Sequence, residues 1–230
     1  MMGGGAVNIM ILLPEEKEQI DLLVTRYPVL CPVMDDIANA YFTLRTAFEQ
    51  GRKLLIAGNG GSAADSEHIV GELMKGFVLS RNVEAPFADA LCGVDPELGS
   101  VLKSKLQGAL PAIALDGHPA LNTAYINDSE PLLCFAQQVN GYGKRGDVFM
   151  GISTSGNSAN ILYAAVTARA KGMKVIGLTG ARESKLSKMA DVCVQAPETE
   201  TYKIQELHLP IYHCLCLMLE HHFFKEKQIP

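Results

Sequence analysis

Five short apolar runs constrain what this chain can fold into: Leu54–Ala57, Leu110–Leu115, Asp147–Ile152, Lys174–Gly180 and Ala190–Val194. Runs this short, apolar along their length, read as strands buried on both faces. Between them lie segments of helical character. Ile69, Leu73 and Phe77 recur at fourfold spacing, a helix is expected over about 131 to 141, and Ile161, Leu162, Ala165 and Ala168 repeat the pattern. A short helix fits Lys185 to Met189, and a long one should run from beyond Pro197, capped by Glu198 or Thr199, to about Lys225. Strands alternating with helices predict an α/β fold: a five-stranded parallel sheet flanked by helices, Rossmann-like or flavodoxin-like. In such folds ligands bind at the carboxyl ends of the strands.

The first strand runs straight into Gly58-Asn59-Gly60-Gly61. Such a loop turns tightly and brings bare backbone near a ligand. Ser62 suits a helix N-cap, with the helix starting near Ala63. Strand, glycine loop and helix N-terminus together make an anion site. The loop is neither GxGxxG nor GxxxxGK[ST], so dinucleotide and P-loop readings lose support, and an ordinary strand-to-helix turn stays open. His68 and Glu72 stand four apart and share a helix face. They can hold a metal or divide proton-transfer work, or form a plain exposed pair.

The third strand ends in Ser153-Thr154-Ser155-Gly156-Asn157-Ser158. Four hydroxyls in six residues exceed what helix capping needs and suit a phosphate. On the last helix, Gln205 and His213 lie about two turns apart on roughly one side, among Leu207, Leu209, Ile211, Leu215 and Leu217.

The rest of the chain carries less chemistry. Residues 1–52 hold helices split near Pro28 to Pro32, with Gly51 ending the second; they serve subunit contacts or simple core packing. Residues 53–230 form the α/β unit. Residues 79–107 are an extended segment, loop-like through Pro86 and Pro96 before a short helix near Glu97 to Gln107. Asn127-Asp128 closes a small helical segment after the turn Asp116–Pro119. With a formal charge of −5 and no basic run, nucleic acid is not an expected partner. No apolar run approaches the 18 or so residues a membrane span needs. The leader MMGGGAVNIMILL lacks a basic n-region and is not read as a signal peptide. The six cysteines form no CxxC and read as reduced thiols of a cytoplasmic protein.

GNGGSAADSEHIVGEL, GISTSGNSANIL, GMKVIGLTG and IQELHLPIYHCLCLMLE resemble the sugar isomerase (SIS) domain family, and within it the sedoheptulose-7-phosphate (phosphoheptose) isomerases. The resemblance covers about 53 to 78 and 110 to 221. The loops mark SIS domains broadly; HxxxE after the first loop combined with QxxxxxxxH on the last helix is more specific to the isomerases. The resemblance implies a single SIS domain and an aldose–ketose isomerisation of sedoheptulose 7-phosphate. It implies that Asn59, Gly60, Gly61, Ser62, Asn127 and Asp128 line the sugar, and that Ser153, Thr154, Ser155 and Ser158 bind phosphate. It further implies that His68, Glu72, Gln205 and His213 hold a metal, usually zinc, that Glu72 and His213 transfer protons, and that the protein is a cytoplasmic homotetramer with active sites at subunit interfaces. Two other readings remain at this point. The long segment 79–107 allows an isomerase of another phosphosugar. A non-catalytic SIS scaffold, such as the replication initiator-associated relatives, shares both loops but lacks the full His/Glu/His set that this chain keeps.

Overall fold

The five apolar runs become β1 (Leu54–Ala57), β2 (Ala112–Ala114), β3 (Val148–Ile152), β4 (Lys174–Gly180) and β5 (Val192–Ala196). In this computed structural model, which describes residues 12–225, they form one parallel sheet ordered β2-β1-β3-β4-β5. Most of the leader lies outside the described residues. The order is the flavodoxin-like one, and its direction of winding reverses between β1 and β3. β5 sits two residues later than the apolar run alone suggests, because Leu178 and Gly180 pair with Val194 and Ala196.

Strand side chains alternate, and both faces are covered. Leu54, Ile56, Val148, Met150, Ile176 and Leu178 enter one core, and Leu55, Ala57, Phe149 and Val175 enter the other. The first core is closed by α1 (Pro14–Arg26), α2 (Met34–Glu49), α3 (Gly61–Met74) and α10 (Thr201–Phe224). The second is closed by α7 (Cys134–Tyr142), α8 (Ala159–Ala170) and α9 (Lys185–Met189), with Leu115 ahead of α6 (Pro119–Asp128). Pro28–Val33 is a 3-10 turn between α1 and α2, which is the break expected at the prolines. Both N-terminal helices pack on α10.

Three local expectations need correcting. Residues 79–107 are not a loop followed by one helix but a helical hairpin, α4 (Ala85–Val94) and α5 (Pro96–Lys105). Pro86 and Pro96 fall in the first turns of their helices, where the missing N–H costs nothing, so they start helices instead of breaking them. Asp95 caps α5, accepting from the Glu97 and Leu98 N–H groups at 3.0 and 2.8 Å. Next, α3 starts at Gly61 with Gly60 as its N-cap, so Ser62 is a buried first-turn residue and not the cap. Finally, α10 is preceded by Glu200, and neither Glu198 nor Thr199 caps it.

The entry to the hairpin is anchored from below. Glu220 of α10, fully buried, accepts from the Phe77, Val78 and Leu79 N–H groups at 2.7, 2.9 and 3.2 Å, and from Arg81 Nε at 2.8 Å. Arg81 spends its other nitrogens on the carbonyls of Leu73 and Glu72, which fixes the carboxyl end of α3.

Candidate active site

The glycine loop and the hydroxyl loop lie at the winding reversal, at the carboxyl ends of β1 and β3. Asn59 of the glycine loop and Asn160 of α8 exchange two amide hydrogen bonds, at 3.0 and 2.8 Å, which fasten one loop's strand unit to the other's. Gly61 opens α3 under the Gln205 carboxamide; a Cβ there would stand 2.7 Å from Gln205 Nε2 and would push that amide aside.

In the hydroxyl loop, Ser153 Oγ and Ser158 Oγ are 3.0 Å apart, and Ser153 is buried at the strand end. Ser155 Oγ accepts from the Asn157 N–H at 3.2 Å, and Asn157 Oδ1 accepts from the Lys185 N–H at 3.1 Å. Gly156 adopts φ +62° directly under Ser184, a conformation and a clearance that side chains deny. Beside this loop is a cavity of about 260 Å³, lined in part by Thr154, Ser155, Asn157, Arg182, Glu183 and Thr201. Arg182 brings a cation to this cavity, and Glu183 and Glu198 bring carboxylates to the same lining.

The third group of residues comes from the contact of α3 with α10. His68 Nε2 stands 3.2 Å from Glu72 Oε1 and 3.4 Å from His213 Nε2, with the two imidazoles nearly perpendicular and 5.0 Å between centroids. Glu72 is buried and its second oxygen is held by Lys75 Nζ at 2.8 Å. On its far side, His68 Nδ1 is 3.0 Å from the Tyr212 hydroxyl, which donates to Asp65 Oδ1 at 3.2 Å. Burial lowers the His213 pKa, and the nearby His68 ring adds to this while Glu72 opposes it, so the neutral imidazole is favoured. Burial raises the Asp65 and Tyr212 pKa values.

His68, Glu72 and His213 thus meet although they come from distant parts of the chain. Gln205 lies at the start of α3, about 12 Å up α10 from His213 by the helical rise. Asn127 and Asp128 end α6 on an exposed surface and hydrogen-bond to each other at 2.8 Å. The zinc expectation has a geometric test. Ligands bound tetrahedrally at 2.0–2.1 Å sit about 3.3 Å from one another. The two spacings at His68 Nε2, 3.2 and 3.4 Å, match that value, and imidazole and carboxylate are ordinary zinc donors. Ordinary ion pairs and hydrogen bonds have the same spacing, and among the described residues no group of three His, Cys, Asp or Glu side chains is gathered closely enough to hold a metal ion as it stands.

Four residues at the site escape a reading of the sequence. Asp65 and Lys75 flank the His68/Glu72 pair at helical spacing, which is a usable signal. Tyr212 and Asn160 read as ordinary helix residues, and only the packing of α10 on α3 and of the two loops gives them partners.

A parallel sheet of this order, with a glycine loop after β1, a hydroxyl loop after β3 and a His/Glu/His group behind the first, defines a SIS-domain protein. The SIS domain model matches residues 94–180. The phosphoheptose isomerase of Aneurinibacillus thermoaerophilus is 37% identical over 180 residues, 78% of each chain. That of a Nitratiruptor species is 36% identical over 208 residues, 90% of this chain and 97% of its own. A solved phosphoheptose isomerase from Francisella tularensis superposes with a TM-score of 0.70 at 30% identity, over 89% of this chain and 96% of that one. The chain belongs to the phosphoheptose isomerase family.

Proposed function

We infer that this chain is a phosphosugar aldose–ketose isomerase, converting sedoheptulose 7-phosphate to D-glycero-D-manno-heptose 7-phosphate through an enediol intermediate. The observation that carries the reading is the meeting of Glu72 and His213 at His68, beside two loops suited to a sugar phosphate, in a member of this family.

The reaction moves a proton between neighbouring carbons of the open-chain sugar. It needs a base at carbon and an acid at oxygen. Glu72 supplies the base: Lys75 holds Oε2, and Oε1, which faces His68 Nε2, is the oxygen turned toward His213. His213, whose neutral form burial favours, supplies the group that passes a proton to and from the sugar oxygens and assists ring opening. Ser153, Thr154, Ser155 and Ser158 receive the phosphate, whose charge also suits the helix start at α8. Asn59, Gly60, Gly61, Ser62 and Gln205 line the sugar from the α3 side. A zinc ion is the cofactor the family resemblance implies; His68, Glu72 and His213, which meet, would hold it, with Gln205 reaching it only from the far end of the contact between α3 and α10, and bound there it would polarise the sugar carbonyl.

A homotetramer with sites between subunits accounts for two features. Asn127 and Asp128 project from an exposed helix end and serve the sugar best from a neighbouring subunit. The His68 side chain is 41% exposed, an open flank that a second subunit would close. The six cysteines are all free, which fits a reducing, cytoplasmic setting. No helix among the described residues is long and apolar enough to cross a membrane.

The decisive experiment is an isomerase assay of the purified protein against a panel of ketose phosphates, with and without added zinc. Turnover of sedoheptulose 7-phosphate ahead of the rest is expected. A preference for another sugar would transfer the specificity to the α4–α5 hairpin, which begins where α3 ends. Turnover of none of the panel would overturn the reading.

A further inference from the structure

We propose that the α4–α5 hairpin is a self-association arm. Its exposed apolar face docks on the same face of a second copy of this chain, with the two α5 helices antiparallel about a twofold axis between Val101 and Leu102. The proposal does not rest on the isomerase reading and holds whatever the protein turns over.

The hairpin has little core of its own. In its two helices only Ala88 and Gly99 are buried. Gly99 marks the crossing: a Cβ there would stand 2.3 Å from the Leu91 carbonyl oxygen, so the two backbones touch. Val94, Leu98, Val101, Leu102 and Leu106 are between 40 and 89% exposed. Leu98, Val101, Leu102 and, just past the helix end, Leu106 share an arc of about 140°, which makes one stripe along α5. A helix as short as α5 is marginal in water by itself, and an apolar stripe this exposed marks a contact surface.

The neck of the arm is fixed. Asn82 and Gln107 form an antiparallel bridge, and the Gly108 N–H donates to the Arg81 carbonyl at 2.8 Å. Gln107 Oε1 accepts from the Gly76 N–H at 2.7 Å, and Arg81 is paired with Glu220 in the body. An arm held this way presents its face with little left to order on docking.

The charges single out a second copy as the occupant. Asp89 and Lys103 pair with each other across the hairpin at 3.3 Å. Glu97 and Lys105 have no ion-pair partner among the described residues, and by helical spacing they fall on the same side of the stripe. Antiparallel α5 helices related by the proposed axis set each Glu97 within one residue's rise, about 1.5 Å, of the level of the other copy's Lys105. The same ion pair then forms twice in one interface, as twofold contact requires. A parallel pairing would set like charges together. The opposed helix dipoles favour the antiparallel arrangement as well.

The test is the mass of the full chain in solution, by light scattering on a sizing column over a range of concentrations. Leu102→Asp should halve the mass of the assembly, because it removes this contact and leaves any other contact between subunits. Glu97→Lys and Lys105→Glu should each raise the concentration at which the assembly forms by several-fold, an effect that fades at high salt. Combining the two should restore assembly. That rescue separates a self-contact from any other partner, since only a second copy changes its charges along with the first. Should Leu102→Asp fold poorly, the charge variants still decide, as they alter only exposed side chains. One mass for all of these proteins, or a double reversal no better than either single change, would overturn the proposal. A homotetramer unchanged in every variant would overturn it and leave the tetramer reading in place, and absence of turnover would bear only on the isomerase reading.

Discussion

Asn59 and Asn160 are 101 residues apart and exchange two amide hydrogen bonds, Nδ2 to Oδ1 in each direction, across the reversal of the sheet. The pair couples the glycine loop after β1 to the helix that follows the hydroxyl loop after β3. Asn160 Oδ1 also accepts from the Ile161 N–H at 3.0 Å, so the amide is oriented before it reaches Asn59. Asn160→Ala should release this tie. With each hydrogen bond worth about 0.5–1.5 kcal/mol, the Michaelis constant for every accepted phosphosugar should rise roughly tenfold, with turnover at saturation little changed. Steady-state kinetics on two substrates check this; an unchanged Michaelis constant would mean that the loops hold their places unaided.

Glu72→Gln keeps the size of the side chain and removes its basicity. Loss of a general base lowers turnover by about 10²–10⁴-fold. That loss is expected with folding intact, and zinc content measured on the same preparation separates base from ligand. Lost activity with metal retained assigns the base role. Turnover equal to that of the unaltered protein would remove Glu72 from the mechanism.

Glu220 carries the entry of the hairpin. Glu220→Ala leaves Arg81 charged and fully buried without its partner, and three backbone N–H groups without an acceptor. Breaking such a pair costs about 3–5 kcal/mol. Chemical denaturation should register a loss of that size, and limited proteolysis should cut first between 77 and 84. Because Arg81 also holds the carbonyl of Glu72, the same variant should lower activity more than its residual folded fraction explains.

His208 links stability to pH. It is buried, its Nε2 lies 3.2 Å from the Thr179 carbonyl, and desolvation lowers its pKa to about 4. The unfolded chain takes up a proton near pH 6.5, before the folded one does. Stability from this residue is therefore complete above about pH 6.5 and is lost as the pH falls toward 4, by about 3 kcal/mol in all. Carboxyl groups shift in both directions: burial raises Asp116, while at Asp191 burial is outweighed by the Val175 N–H, Lys174 and Arg169, which lower it. The difference between unaltered protein and His208→Gln isolates the imidazole. The variant should be less stable at pH 7, and the gap should close on acidification; a gap independent of pH would contradict the assignment.

The sequence alone determined the sheet, the glycine and hydroxyl loops at its strand ends, and the pairing of His68 with Glu72. Each depends on residues close in the chain: apolar runs, glycine clusters, and a four-residue helical step. It also placed Gln205 and His213 on one helix and the Ser153–Ser158 hydroxyls at another helix start. Local rules misled at 79–107, since a proline that ends a helix and one that begins it are the same letter, and Asp95 as a cap is what tells them apart. Only the tertiary structure decided which side chains meet. The packing of α10 on α3 sets His213 against His68 and gives Tyr212 its place between Asp65 and the imidazole, and strand order sets Asn59 opposite Asn160. Those contacts span more than a hundred residues, and their energies depend on distances of a few tenths of an ångström that no local propensity encodes.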